Sequence, residues 1–309
     1  MRGDEAVAAD GEHHIRTVVE RVSPSSSQRS IATRSHNWLR TLFSLPDHAE
    51  KLYGTAFSGS YSRGTAVAAG DCVEIILFLS TRHWGDQPCA NRVLQYIGGT
   101  IAGRHPPGQV STTQGCIVFP FRELMVNAWP ALMDANGGTR IVVPCAESMH
   151  WRPADPHGFA SYINRVNRSS GQSAKALIKL VKHWNYQLPA EIRLESSMVE
   201  ALVGSFCENV PIFSLLGGLI AFFDFAASAA GENNKDRHWR DIPIGVLSWP
   251  DRLIEPVSFR ELLCGIGKAR LHAFISEVLV VRNALKRADG KIQAPEAWLG
   301  IIDARKPQA

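Results

Sequence analysis

The chain has 309 residues, 45% hydrophobic and 20% charged, with 33 Lys and Arg against 29 Asp and Glu for a formal net charge of +4. Such a composition excludes a disordered, collagen-like or disulfide-framework chain, and the charge is mild for a protein that holds nucleic acid by electrostatics alone. The first fourteen residues carry four acids and no apolar core, so no secretory signal is expected, and six dispersed cysteines without metal-ligand spacing fit reduced thiols in a cytoplasmic protein.

Residues 1–28 read as a mobile tail that ends in the Ser/Pro-rich stretch from Ser23 to Gln28. From Ile31 to Tyr53 the apolar residues Ile31, Trp38, Leu39, Leu42, Phe43 and Leu52 recur at helical spacing, with a break at Pro46. A short strand then enters a Gly/Ser turn, and a second strand is predicted at Val73–Leu79. A helix over 88–103 follows, with Val93, Leu94 and Ile97 on one side, and then strands at 116–121 and 139–143. After Trp151 the spacing turns helical, over 174–185, 196–208, 213–230 and 258–287, with loop at 241–256. The apolar run 212–230 contains Asp224, which predicts a buried helix and no membrane span. The expected fold class is α/β (α+β) and bilobed. It comprises the tail 1–28, a mixed-sheet lobe 29–150 and a helical lobe 151–309, with the cleft between lobes as the default binding site.

The most specific motif is Gly59-Ser60-Tyr61-Ser62-Arg63-Gly64-Thr65. Glycines allow close backbone approach, and a hydroxyl with turn amides forms an anion nest suited to a triphosphate. Nucleotidyl transfer also requires carboxylates on a neighbouring strand to hold Mg²⁺. Residues two apart on a strand face the same way, and the positions seven and nine past Thr65 hold Cys72 and Glu74.

These residues resemble the polymerase-β-type nucleotidyltransferase superfamily, and most of all the oligoadenylate synthases and the bacterial CD-NTases that make cyclic oligonucleotides. The resemblance continues through Leu177-Ile-Lys-Leu-Val-Lys-His-Trp-Asn185 and Leu194-Glu-Ser-Ser-Met-Val-Glu200, and so spans roughly residues 30 to 285. It implies that Gly59 and Ser60 hold a triphosphate, that Gly64 and Thr65 shape the loop, and that Lys182 and Ser197 reach the phosphates from the helical lobe. Helical spacing alone puts Lys175, Lys179 and Lys182 on one face, as an exposed basic stripe that can face a polyanion, and makes Trp184 a core residue.

Active relatives carry Asp at the positions of Cys72 and Glu74 and a third Asp on a later strand. Ile-Val-Val-Pro at 141–144 resembles that strand's Asp-Val-Val-Pro, which assigns Ile141 to the third acid position. One acid of three is kept, Glu74. A thiol is a poor ligand for a hard ion that wants oxygen in octahedral geometry, and Ile141 offers nothing to a metal. Asp71, through a one-residue bulge, and Glu147 are the neighbours able to restore a carboxylate. Strand alternation turns Asp71 to the opposite face and favours a turn role for it, and Cys72 reads as a buried structural thiol. Two functions follow. The first is a catalytically impaired protein that binds an NTP or oligonucleotide, a protein partner or double-stranded RNA in defence-type signalling. The second is an active template-independent nucleotidyltransferase that uses Mg or Mn to make a linear or cyclic oligonucleotide.

Overall fold

A computed structural model describes residues 2–113, 115–133, 141–144, 151–228, 247–248, 252–253, 268–288 and 295–302. The first half runs α1 (Arg2–Val22), α2 (Ser26–Phe43), β1 (Leu52–Ser58), α3 (Gly59–Arg63), β2 (Val73–Leu79), α4 (Thr81–Trp84), α5 (Ala90–Ala102), β3 (Ser111–Thr113), β4 (Cys116–Phe121), β5 (Leu124–Met133), β6 (Ile141–Pro144) and β7 (Trp151–Ala154). The second runs α6 (Pro156–Ser169), α7 (Ala174–Gln187), α8 (Ser196–Asn209), α9 (Leu215–Ser228), β8 (Leu247–Ser248), β9 (Arg252–Leu253), α10 (Lys268–Ala288) and α11 (Pro295–Ile302). Of the helix expected over 258–287, residues 258–267 lie outside the described residues, as does most of the loop expected at 241–256.

The chain forms two compact units. One gathers Pro24–Ala66 and Asp71–Ser161, the other Met1–Ser23, Val67–Gly70 and Tyr162–Ala309. The sheet unit orders its strands β1-β2-β5-β4-β3, with β6 on the far end of β5 and β7 beside β6. β2 runs antiparallel to β1 and parallel to β5. It is apolar along nearly its whole length because both its faces are covered. Val73, Ile75 and Leu77 join Ile31, Leu39 and Leu42 of α2 and Val93, Leu94 and Ile97 of α5 in the main core. Ile76 and Phe78 pack with Ala131 on the opposite face. Helix α2 starts from a capping box in which Ser25 accepts from the Gln28 amide and Gln28 accepts from the Ser25 amide.

The ten-residue β5 was not among the expected strands. Its inward residues Leu124, Val126 and Ala128 alternate properly, but Asn127 and Pro130 interrupt the apolar pattern. Pro130 is tolerated because the pairing with β4 ends at Ala128 and the pairing with β6 starts at Leu132, so β2 alone flanks the strand there.

In the helical unit the structure differs from the tail expected at 1–28. Residues 2–22 form α1, and Ile15, Val18 and Val22, spaced three and four apart, are buried. Glu12 accepts a 3.1 Å hydrogen bond from the Leu216 amide in the first turn of α9, where a carboxylate also meets the favourable end of the helix dipole. Trp184 of α7 is fully buried, as its sequence position suggests, with its ring 5.0 Å from Phe223 and 5.3 Å from Phe274. Residues 67–70 also belong to this unit. The Ala68 amide donates to the Val22 carbonyl at 2.8 Å, and Gly70, at φ +111°, lies so close under the Tyr186 ring that a Cβ would sit 2.7 Å from it. Among the described residues no helix is long and apolar enough to cross a membrane.

Candidate nucleotide site

The Gly/Ser motif sits where β1 hands over to α3. Ser58, the last residue of β1, pairs with Glu74 of β2, which brings the next residue, Gly59, against the Glu74 side chain. Gly59 has φ +68°, and a Cβ there would lie 2.7 Å from the Glu74 carboxyl carbon and from its Oε2. Two separate demands, the left-handed backbone and the missing volume, therefore keep this position glycine. Gly64, at φ +72°, closes α3 as its left-handed C-cap. The Thr65 amide donates to the Ser60 carbonyl at 3.0 Å, its hydroxyl donates to the same oxygen at 3.4 Å, and Thr65 is fully buried. Gly64 and Thr65 thus fold the loop back on itself, the Gly64 amide directed at the Ser60 and Tyr61 carbonyls and the Thr65 amide at the Ser60 carbonyl, rather than outwards to an anion nest.

Asp71 follows the turn at 68–70. β2 begins at Val73, so strand alternation does not govern residue 71. Its Oδ1 accepts a hydrogen bond from the Ser60 hydroxyl at 3.2 Å. Asp71 and Glu74 consequently flank Gly59 and Ser60 with two carboxylates. Their field is felt nearby. Burial, with the charges of Glu74 and Asp71, raises the Cys72 thiol above its ordinary range. Burial and the charges of Asp71, Cys72 and Glu123 push the Tyr61 hydroxyl up to about 12. The buried Cys116 thiol is likewise pushed up to about 12 by burial, then by Glu74 and Cys72. Held as the neutral thiol, Cys72 is a weak nucleophile at neutral pH.

The third acid position moves. Glu74 is in register with Asn127 of β5, and residues paired across a ladder share a face, so Asn127 is the neighbour of Glu74. Ile141 pairs with Met133, six residues farther along β5, or about 20 Å at 3.3 Å per residue. The structure thus brings Asn127, and not Ile141, beside Glu74. A signal for it was present, since Asn127-Ala128-Trp129-Pro130 is a second three-residue approach to a proline, and it offers a polar residue in first place. Glu147, the other candidate carboxylate, lies outside the described residues.

A protonated thiol at 72, a carboxylate at 74 and a neutral carboxamide at 127 do not fit Mg²⁺, which takes charged oxygen ligands in tight octahedral geometry. Among the described residues no group of three His, Cys, Asp or Glu side chains is gathered so as to hold a metal ion.

The remaining expected residues belong to the helical unit. Lys182 departs from the exposed stripe. It is fully buried on α7, with its Nζ 3.2 Å from Oε1 of the equally buried Glu200 on α8. Lys179 donates to the Ser23 hydroxyl at 3.0 Å. Lys175 is half-buried, and burial lowers its pKa against the raising effect of Glu200. Lys182 and Lys179 thus have partners inside this unit, and Lys175 is partly withdrawn from solvent. Ser197 is half-buried in the first turn of α8.

No protein-family model matches the chain, and no curated protein matches it. Solved structures do. CdnC of E. coli MS115-1 with ATP is 18% identical, with 96% of this chain and 99% of that chain covered and a TM-score of 0.75. CdnC in complex with HORMA-deltaN gives 18%, 96%, 98% and 0.73. The CD-NTase CdnG of Bradyrhizobium diazoefficiens with GTP is 12% identical over 94% of this chain and 95% of that one, at a TM-score of 0.72. At such identities the likeness establishes the fold: the chain has the α+β nucleotidyltransferase fold and resembles the bacterial CD-NTases.

Proposed function

We propose that this protein is a CD-NTase-like nucleotide-binding protein with impaired transfer chemistry, working in defence-type signalling through a bound nucleotide or oligonucleotide. The observation that carries this reading is the β2–β5 register, in which Glu74 has Asn127 as its neighbour and Cys72 precedes it, so one carboxylate stands where three are needed. Fold outlives chemistry, since a preserved Gly59–Thr65 loop keeps its shape whether or not metal ligands remain beside it. Loss of metal-positioning groups costs orders of magnitude in rate, whereas binding through loop and helix ends survives it. A protein partner belongs to the same reading, by analogy with the CdnC solved with a HORMA protein, and double-stranded RNA is the alternative activator.

A second reading, an active nucleotidyltransferase using Mg or Mn, is favoured by one contact, the Asp71 carboxylate drawn in to Ser60. One experiment separates the two. The protein is incubated with labelled ATP, GTP, CTP and UTP and Mg²⁺ or Mn²⁺, with and without double-stranded RNA, beside Glu74→Gln and Ser60→Ala. Nucleotide binding that weakens in Ser60→Ala, with no pyrophosphate released, is the expected outcome. An oligonucleotide product that disappears in Glu74→Gln overturns impairment, and absence of binding to any of the four nucleotides overturns the nucleotide reading.

A further inference from the structure

The Gly59–Thr65 loop directs its donors to the chain's own acceptors. A hydroxyl has one proton to give, so it serves one acceptor at a time. Ser60, itself buried, gives its proton to Asp71 Oδ1 at 3.2 Å. Ser62 donates to the Gly59 carbonyl at 3.1 Å, and Thr65 donates to the Ser60 carbonyl at 3.4 Å. The amides of Gly64 and Thr65 meet carbonyls of the same loop. Arg63 is the one cation in the segment, and it is turned inwards. It is only 7% exposed, with its guanidinium 4.9 Å from the centre of the Phe159 ring on α6.

Two carboxylates stand against the start of this loop. Glu74 lies over Gly59, where a Cβ would meet its carboxyl carbon and its Oε2 at 2.7 Å. Asp71, in the segment that leads into β2, holds the Ser60 hydroxyl. A phosphate oxygen resembles a carboxylate oxygen in accepting charge-assisted hydrogen bonds and donating none, so it competes with Asp71 for the same proton. The Ser60–Asp71 bond and a Ser60–phosphate bond are therefore alternatives, and the loop holds the first. A phosphate would also approach two like charges. Their reach is seen at Cys72, whose thiol is raised by burial and then by Glu74 and Asp71.

We infer, on the reading of Gly59–Thr65 as a phosphate loop, that Asp71 is its internal occupant. The Asp71 carboxylate takes the Ser60 hydroxyl in place of a phosphate, Glu74 screens Gly59 beside it, and the loop is closed to nucleotide until Asp71 is withdrawn. Inorganic triphosphate, the part that all four nucleotides share, is the probe. It is titrated calorimetrically in EDTA, where neither carboxylate can act through a metal. The full chain is compared with Asp71→Asn, with Asp71→Ala, and with Asp71→Ala combined with Ser60→Ala. In Asp71→Ala the Kd is expected to fall at least about tenfold, as for one charge-assisted hydrogen bond released to the ligand. Asp71→Asn, which keeps the shape and an acceptor, should gain less, and it carries the test where Asp71→Ala folds poorly. Most of the gain should vanish once Ser60→Ala is added. Triphosphate that binds the parent as tightly as both Asp71 variants overturns the inference alone. So does a gain that persists undiminished without the Ser60 hydroxyl, since charge repulsion would then suffice. No binding to any of the proteins overturns the phosphate-loop reading, and the inference with it.

Discussion

Cys72 shows how a single side chain loses its expected chemistry to its neighbours. The thiol stands where a carboxylate would hold metal, and burial together with Glu74 and Asp71 keeps it protonated. Its pKa is raised, so the thiolate appears only as pH climbs above the ordinary cysteine range near 8.5. Alkylation of Cys72, followed by peptide mapping, is therefore expected to be slow at pH 8 and to accelerate at higher pH than for an ordinary thiol. Glu74→Gln removes a negative charge, lowers the thiol pKa and speeds the reaction at pH 8. A rate in Glu74→Gln no faster than in the parent would refute this electrostatic account. At this scale the closeness of Gly59 to Glu74 was legible, since spacing past a Gly/Ser turn is a local property. Strand alternation does not reach Asp71, which precedes β2, so its contact with Ser60 was not legible from the period of two. Asn127 was missed because which strand lies beside β2 is a long-range fact, and two proline-terminated segments competed for that place.

Helix α7 carries the same lesson for elements. Its spacing gave the helix, and three lysines four and three residues apart suggested an outward face. Instead Leu177, Ile178, Leu180, Val181, Trp184 and Asn185 are all buried, so the helix is covered on most sides, Lys182 is enclosed, and Lys175 and Lys179 are half-buried. An enclosed charge persists only when paired, and Glu200 supplies the pair. Replacing either partner alone, as in Lys182→Met or Glu200→Leu, is expected to cost about 3–5 kcal/mol by leaving one charge uncompensated. The double replacement should recover most of that loss, as read by chemical denaturation. Additive losses in the double variant would mean that the pair does not act as a pair. Strand β5 was illegible for a related reason, because Pro130 reads as a breaker until the local absence of a second flanking strand is known.

For the whole molecule, α1 is the element whose removal says most. Its early acids disguised the buried series Ile15, Val18 and Val22, and the helix packs on α7, α9 and α11. Each such side chain contributes about 1.5–3 kcal/mol by burial, and three together rival the 5–15 kcal/mol that typically separates folded from unfolded chains. A chain lacking residues 2–22 should therefore bind an apolar dye and melt well below the parent, while Ile15→Ala should lose about 2–5 kcal/mol. Equal melting temperatures for the shortened and full chains would show the helix to be dispensable.

The four residues 67–70 have a consequence of another kind. The polypeptide passes between its two units at 23/24, 66/67, 70/71 and 161/162, and the short third passage is tied down by Val22 and Tyr186. Neither unit is therefore a heritable module. Two recombination points that bracket the sheet unit also import a foreign 67–70 that must meet a resident Val22 and Tyr186. Drift at those contacts would leave chimeras misfitted at the residue next to Asp71.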